Sequence, residues 1–173
     1  MNPNDEINRP LPMPVFAGLT QRERPNLSLI PLDEYIPESI INKGLEVAKS
    51  AHRDQKRWGG QPYIMHPVAV AESLPRRVRV LGYLHDVMED NPNDFPLAVM
   101  QRLFPPWITE RLMLLTKLPG EPYDDYILSI MAASDWAVTM TKIKDLRHNL
   151  SDIKLGSLRD KYRLTLRALG EQP

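Results

Sequence analysis

The chain has 173 residues, enough for one domain with a proper core, and its 22 basic and 22 acidic side chains cancel. Neutrality argues against a broad nucleic-acid-binding face, and the lack of cysteine excludes disulfides, zinc–thiolate sites and cysteine nucleophiles. No apolar run reaches the ~18–20 residues of a membrane span, and no signal-peptide core opens the chain, so a cytoplasmic protein that enters no membrane is expected.

Residues 1–33 stand apart, with Pro3, Pro10, Pro12, Pro14, Pro25 and Pro31 scattered among polar residues. They read as an extended arm, flexible or laid over the domain, and residues 34–173 as the domain itself. From Pro37, apolar residues recur at helical spacing through Ile41, Leu45, Ala48 and His52 to about Arg57. Trp58-Gly59-Gly60-Gln61-Pro62-Tyr63 then makes a turn. A short helix is predicted from His66-Pro67. Another begins after Ser73 and Pro75 and carries Val78, Leu81, Leu84 and Met88. Asn91-Pro92-Asn93-Asp94 stops it and caps a helix from Pro96 to Phe104. Pro105-Pro106 opens a helix ending near Lys117, and further helices follow over 123–133, 136–152 and 158–169. No period-two alternation interrupts this pattern, so the fold class is all-α.

The chemistry concentrates in Leu84-His85-Asp86-Val87-Met88-Glu89-Asp90. If this stretch is helical, His85 and Glu89 share one side and Asp86 and Asp90 another. So many acids in one place call for a cation, and a divalent metal answers that need. His85 and Asp86 are two candidate ligands. His66, at a turn-to-helix junction before Pro67, and Asp145, sharing a helix stripe with Asn149, complete the set. Two imidazoles and two carboxylates suit manganese, iron or zinc better than calcium. Glu89 and Asp90 are left for water positioning and proton transfer. A lone His-Asp pair is common by chance, and the bland reading makes Asp86, Glu89 and Asp90 ordinary helix charges. His52 and His148 are expected to be structural histidines bonded to backbone.

Three segments together resemble a known family. Ala51-His52-Arg53-Asp54-Gln55-Lys56-Arg57 with Gly59-Gly60-Gln61-Pro62-Tyr63-Ile64-Met65-His66-Pro67 looks like the entry motif of the RelA/SpoT-type hydrolase domain. Leu84 to Asp90 is similar to its HDxxED motif, and Lys142-Ile143-Lys144-Asp145-Leu146-Arg147-His148-Asn149 to its third motif. The resemblance implies a single helical HD-superfamily bundle, one divalent metal, usually manganese, and removal of the 3′-pyrophosphate from (p)ppGpp. It implies His66, His85, Asp86 and Asp145 as metal ligands and Glu89 and Asp90 as the working acids. It sets Arg57 near the phosphates and Asn149 near the nucleoside. Trp58 and Tyr63 are candidates for stacking on the base, with turn packing as the alternative. The sequence departs from the family pattern at Gly59-Gly60-Gln61, at Trp58 and at Leu146-Arg147. These departures lie around the nucleotide. They leave open a phosphohydrolase of another nucleotide, such as an adenosine alarmone, or a non-catalytic, antitoxin-like binder. A small-molecule nucleotide is the expected partner, and the sequence is compatible with a homo-oligomer. The short chain is expected to carry the hydrolase without a synthetase domain.

Overall fold

The computed structural model describes residues 27–153 and 156–171, so residues 1–26 of the predicted arm lie outside the described residues. The described chain is built from α1 (Glu38–Ala51), α2 (Met65–Glu72), α3 (Arg79–Leu84) and α4 (Val87–Asp90). It continues through α5 (Leu97–Leu103), α6 (Pro106–Leu115), α7 (Tyr123–Ala133), α8 (Trp136–Asp152) and α9 (Ser157–Ala168). Among the described residues the only β pairing is one isolated antiparallel bridge, Lys56 to Pro62, which closes the turn after α1.

Prolines start many of these helices. Pro37, Pro96, Pro105 and Pro122 each sit at the N-cap with extended ψ, just ahead of α1, α5, α6 and α7. Their ring fixes φ, and they bring no N–H that would need a partner there. The cap expected from Asn91–Asp94 is not made, because Pro96 occupies that position and no side chain caps α5. Asp135 is a true side-chain cap. It accepts from Ala137 N at 3.0 Å and Val138 N at 2.9 Å and so opens α8.

The core forms where α1, α2, α3, α4, α6 and α8 bury their apolar faces, with Ile41, Val70, Leu81, Leu84, Met88, Ile108, Leu112 and Val138 inside. A smaller cluster of Ile143, Leu146 and Leu166 holds α9 on α8. The crossing of α2 and α3 is very close. A Cβ on Gly82 would lie 2.5 Å from Ala71 Cα and 2.7 Å from Ala71 N. Glycine is what lets the two backbones meet there, and so brings the start of α2 towards the end of α3.

The predicted helix through the His-Asp pair is interrupted. α3 ends at Leu84, His85 and Asp86 form a turn, and α4 resumes at Val87. Asp86 relaxes to φ −101°, ψ −9°, at the edge of the helical region. At the start of the described chain, residues 27–32 run without regular structure. Leu27 and Ile30 pack against the core, and Ser28 bonds Glu110 through its N at 2.6 Å and its Oγ at 2.9 Å.

Candidate metal centre

Four of the predicted site residues meet where α2, the α3–α4 turn and α8 converge. His66 stands in the first turn of α2, His85 and Asp86 in the turn, and Asp145 midway along α8. His66 Nε2 lies 3.1 Å from His85 Nε2 and 3.2 Å from Asp145 Oδ1. Asp86 Oδ2 lies 3.1 Å from His85 Nε2 and 3.4 Å from His66 Nε2, and Asp145 Oδ1 is 3.6 Å from His85 Nε2. His66, His85 and Asp145 are buried and form the compact core of this group, with ligand atoms within 4.8 Å of one another. Asp86 is half-buried and approaches both imidazoles from one side.

These separations fit a cation. Ligand atoms about 2.1 Å from a shared metal are about 3.0–3.5 Å apart at octahedral or tetrahedral angles. The tautomer fits too. His85 Nδ1 lies 2.8 Å from Gly82 O, and a carbonyl only accepts, so Nδ1 carries a proton and Nε2 is the nitrogen that would give its lone pair to a cation. Asp145 is held on both oxygens. Lys142 Nζ donates to Oδ2 at 2.8 Å and Asn149 Nδ2 to Oδ1 at 2.6 Å. Tyr63 donates its hydroxyl to Asp86 Oδ2 at 2.6 Å.

The electrostatics agree with this arrangement. Burial pulls the His85 imidazole down, but Asp86 and Asp145 beside it outweigh burial and hold it well above its usual range. His66 is raised against burial by its contacts with Asp145 and Asp86. Burial pushes Asp86 and Asp145 up. His85 and His66 more than offset this for Asp86, and Lys142 with the two imidazoles does so for Asp145, so both carboxyls lie well below the ordinary value. Negative charge is concentrated in this pocket, and in the metal-free protein imidazole protons balance it.

Glu89 and Asp90 stand at the outer side of the cluster and reach solvent. Glu89 Oε2 accepts from Lys117 N at 2.9 Å, and desolvation raises its carboxyl despite that bond. Asp90 is pushed up to about 7 by desolvation first and then by the charges of Asp86 and Glu89. Neither acid is paired with a lysine or arginine side chain among the described residues; the His52 imidazole lies 3.9 Å from Asp90 Oδ2, and burial lowers its pKa.

Comparison with known proteins follows this geometry closely. No family model matches the chain. It is 35% identical over 150 residues to the bifunctional (p)ppGpp synthase/hydrolase SpoT of Escherichia coli K12, an alignment covering 76% of this chain and 21% of that protein. It is 32% identical over 130 residues to the guanosine-3′,5′-bis(diphosphate) 3′-pyrophosphohydrolase of Haemophilus influenzae, covering 68% of this chain and 19% of that one. The chain thus spans about a fifth of the length of these curated relatives. A solved metazoan SpoT orthologue, described as hydrolysing ppGpp, shares the fold with a TM-score of 0.63 at 23% identity, covering 78% of this chain and 85% of that one. The chain belongs to the RelA/SpoT-type HD-domain family. No helix among the described residues is long and apolar enough to cross a membrane.

Of the remaining residues that the RelA/SpoT-type resemblance points to, Tyr63 and Asn149 bond the cluster's carboxylates, and Arg57 and Trp58 lie further out. Arg57 bonds Asp152 Oδ2 through Nε at 2.7 Å and Asn149 Oδ1 through a terminal nitrogen at 3.4 Å, so it lies along the end of α8. Trp58 beside it is 89% exposed. The Tyr63 ring is packed between His52 and His66, with centroids 4.8 and 5.6 Å away, so this side chain meets the site through its hydroxyl.

Sequence reasoning missed three contributors. Lys142 bonds Asp145 Oδ2 at 2.8 Å. His148 bonds no backbone group, and its Nδ1 lies 2.8 Å from His66 Nδ1. His52 bonds the Gln55 side chain at 2.6 Å, and its buried Nε2 has no hydrogen-bond partner. A signal for the first two was present in α8, where Lys142, Asp145, His148, Asn149 and Asp152 recur at helical spacing on one stripe.

Proposed function

We propose that this chain is a metal-dependent hydrolase removing the 3′-pyrophosphate of guanosine alarmones, turning (p)ppGpp into GDP or GTP and pyrophosphate. The convergence of four donor atoms from His66, His85, Asp86 and Asp145, with Glu89 and Asp90 alongside, carries this reading. The names of the E. coli and H. influenzae relatives support the substrate class.

In this reading the two imidazoles and two carboxylates hold one divalent cation, manganese by the mixed hard and borderline character of the donors. A cation there supplies Lewis acidity to phosphoryl oxygens and makes water a usable nucleophile near neutral pH. The protein's own groups do the rest. Asp90, whose carboxyl burial and the charges of Asp86 and Glu89 raise in the metal-free protein, accepts the proton of the attacking water. Glu89, fixed by the Lys117 amide, orients that water. Arg57 turns its guanidinium to the phosphates, while Asn149 faces the nucleoside and Trp58 offers an open aromatic face. Tyr63 and Asn149 also hold Asp86 and Asp145 in place for the cation. A cytoplasmic setting, where such nucleotides occur, completes the reading.

A second reading, hydrolysis of another nucleotide such as an adenosine alarmone, rests on the Arg57–Asp152 contact. A carboxylate 2.7 Å from the phosphate-facing guanidinium changes what that arginine offers to a substrate. The test is pyrophosphate release from a panel of guanosine and adenosine alarmones with Mn2+. Turnover of ppGpp is expected, and Asp86→Ala and Glu89→Gln should each lose on the order of a hundredfold or more. Exclusive cleavage of an adenosine alarmone favours the second reading, and no turnover of any purine alarmone defeats both.

A further inference from the structure

His66 and His148 face each other through the same kind of atom. His66 Nδ1 and His148 Nδ1 are 2.8 Å apart, and the ring centroids are 4.9 Å apart. A hydrogen bond between two imidazole nitrogens needs one proton and one lone pair, so exactly one of these atoms carries hydrogen. The other end of His66 decides which. His66 Nε2 points into the donor cluster, 3.1 to 3.4 Å from His85 Nε2, Asp145 Oδ1 and Asp86 Oδ2. To serve a cation that nitrogen must be bare, which leaves the proton on Nδ1. His148 Nδ1 is then the acceptor.

The other three donors are steadied differently. His85 gives its Nδ1 proton to the Gly82 carbonyl, a fixed main-chain acceptor. Asp145 has Lys142 and Asn149, and Asp86 has Tyr63. His66 alone among the four relies on a second imidazole, a ring nitrogen that donates or accepts according to its tautomer. His148 stands three residues after Asp145 on α8, so the same helix supplies one ligand and the support of another.

We propose that His148 is a positioning residue that fixes the tautomer and ring orientation of His66, so that His66 presents an unprotonated Nε2 to a divalent cation. This rests on the metal-binding part of the reading above and not on the identity of the nucleotide. An acceptor is what the position requires. A side chain with an acceptor oxygen in reach preserves the function, and an apolar one of similar size does not.

The experiment compares the full chain with His148→Gln and His148→Leu by calorimetric titration with MnCl2 at fixed pH, with circular dichroism to check folding. Loss of an outer-shell partner of this kind weakens metal binding by roughly 10- to 100-fold. His148→Leu is expected to show that loss, and His148→Gln to stay within a few-fold of the wild type. In the Zn2+-loaded protein, nitrogen-15 spectra should report the Nδ1-protonated tautomer for His66 in the wild type. Equal Mn2+ affinity in all three proteins overturns the role of His148 alone. Equal weakening in both variants does the same, because it shows that the acceptor is not what matters. Failure of the wild type to bind Mn2+ removes the metal reading and this inference with it, whereas absent nucleotide turnover with normal Mn2+ binding touches only the substrate.

Discussion

Tyr63 donates its hydroxyl to Asp86 Oδ2 at 2.6 Å, and so ties the turn after α1 to the carboxylate beside the two imidazoles. A hydrogen bond to a charged group is worth about 1.5–3 kcal/mol. Tyr63→Phe removes this bond and keeps the ring between His52 and His66. Mn2+ affinity should fall by roughly tenfold or more at unchanged helix content. Titration showing wild-type affinity would mean that Asp86 needs no such anchor.

Gly82→Ala tests the crossing that brings His66 and His85 together. The added methyl would meet main-chain atoms of Ala71 at 2.5 and 2.7 Å, and a backbone cannot swing aside as a side chain can. Overpacking of this kind costs about 1–3 kcal/mol or more. Urea unfolding should show that loss, and Mn2+ binding should weaken as well, since α2 and α3 must move apart. A variant within about 0.5 kcal/mol of the wild type would refute the account of the crossing.

Metal loading should release protons. Neighbouring carboxylates hold the His66 and His85 imidazoles above their ordinary range, so the metal-free site retains protons that a cation must displace. Affinity for Mn2+ therefore drops as pH falls. Calorimetry in buffers of different ionisation enthalpy measures the number released. A binding enthalpy independent of the buffer would contradict this picture.

Asp90 gives a prediction of opposite kind. Its carboxyl rises from 3.8 when free to about 7 in the fold, so between these pH values the native protein binds more protons than the unfolded chain. The native state then loses stability as pH rises through that window. Asp90→Asn removes the titration. The metal-free variant should gain in melting temperature over the wild type at pH 8 and not at pH 4, and it should lose hydrolysis. A gain equal at both pH values would assign it to something other than this carboxyl. Solvent at the mouth of the site keeps the effect modest.

Much of the architecture was legible because proline and apolar spacing are local signals. The helices expected near 123–133 and 136–152 are present, and the structure shows Pro122 and Asp135 at their starts. The break between α3 and α4 was not legible. Leu81, Leu84 and Met88 keep helical spacing across it, and both residues of the turn stay near helical dihedrals. Only the convergence with α2 and α8 shows why the ladder yields there. The partners of the cluster were hidden for a related reason. Lys142 and His148 gain meaning from Asp145 and His66, and a contact 82 residues apart in sequence, as between His66 and His148, leaves no local trace.

The buried Arg111–Asp135 pair gives α8 a second significance. Arg111 grips the Asp135 cap at 2.7 Å and also donates to Ser28 O at 3.0 Å, while Ser28 is bonded to Glu110 beside it. From that cap α8 runs 17 residues, about 26 Å, before ending beside Arg57. One rod thus has the entering chain clamped near its head and the ligand cluster along its body. A shortened version of the protein that begins at residue 34 would not shed an idle leader. It would take away a carbonyl that Arg111 uses and the serine that Glu110 holds, and the disturbance would start at the end of the helix that carries Asp145.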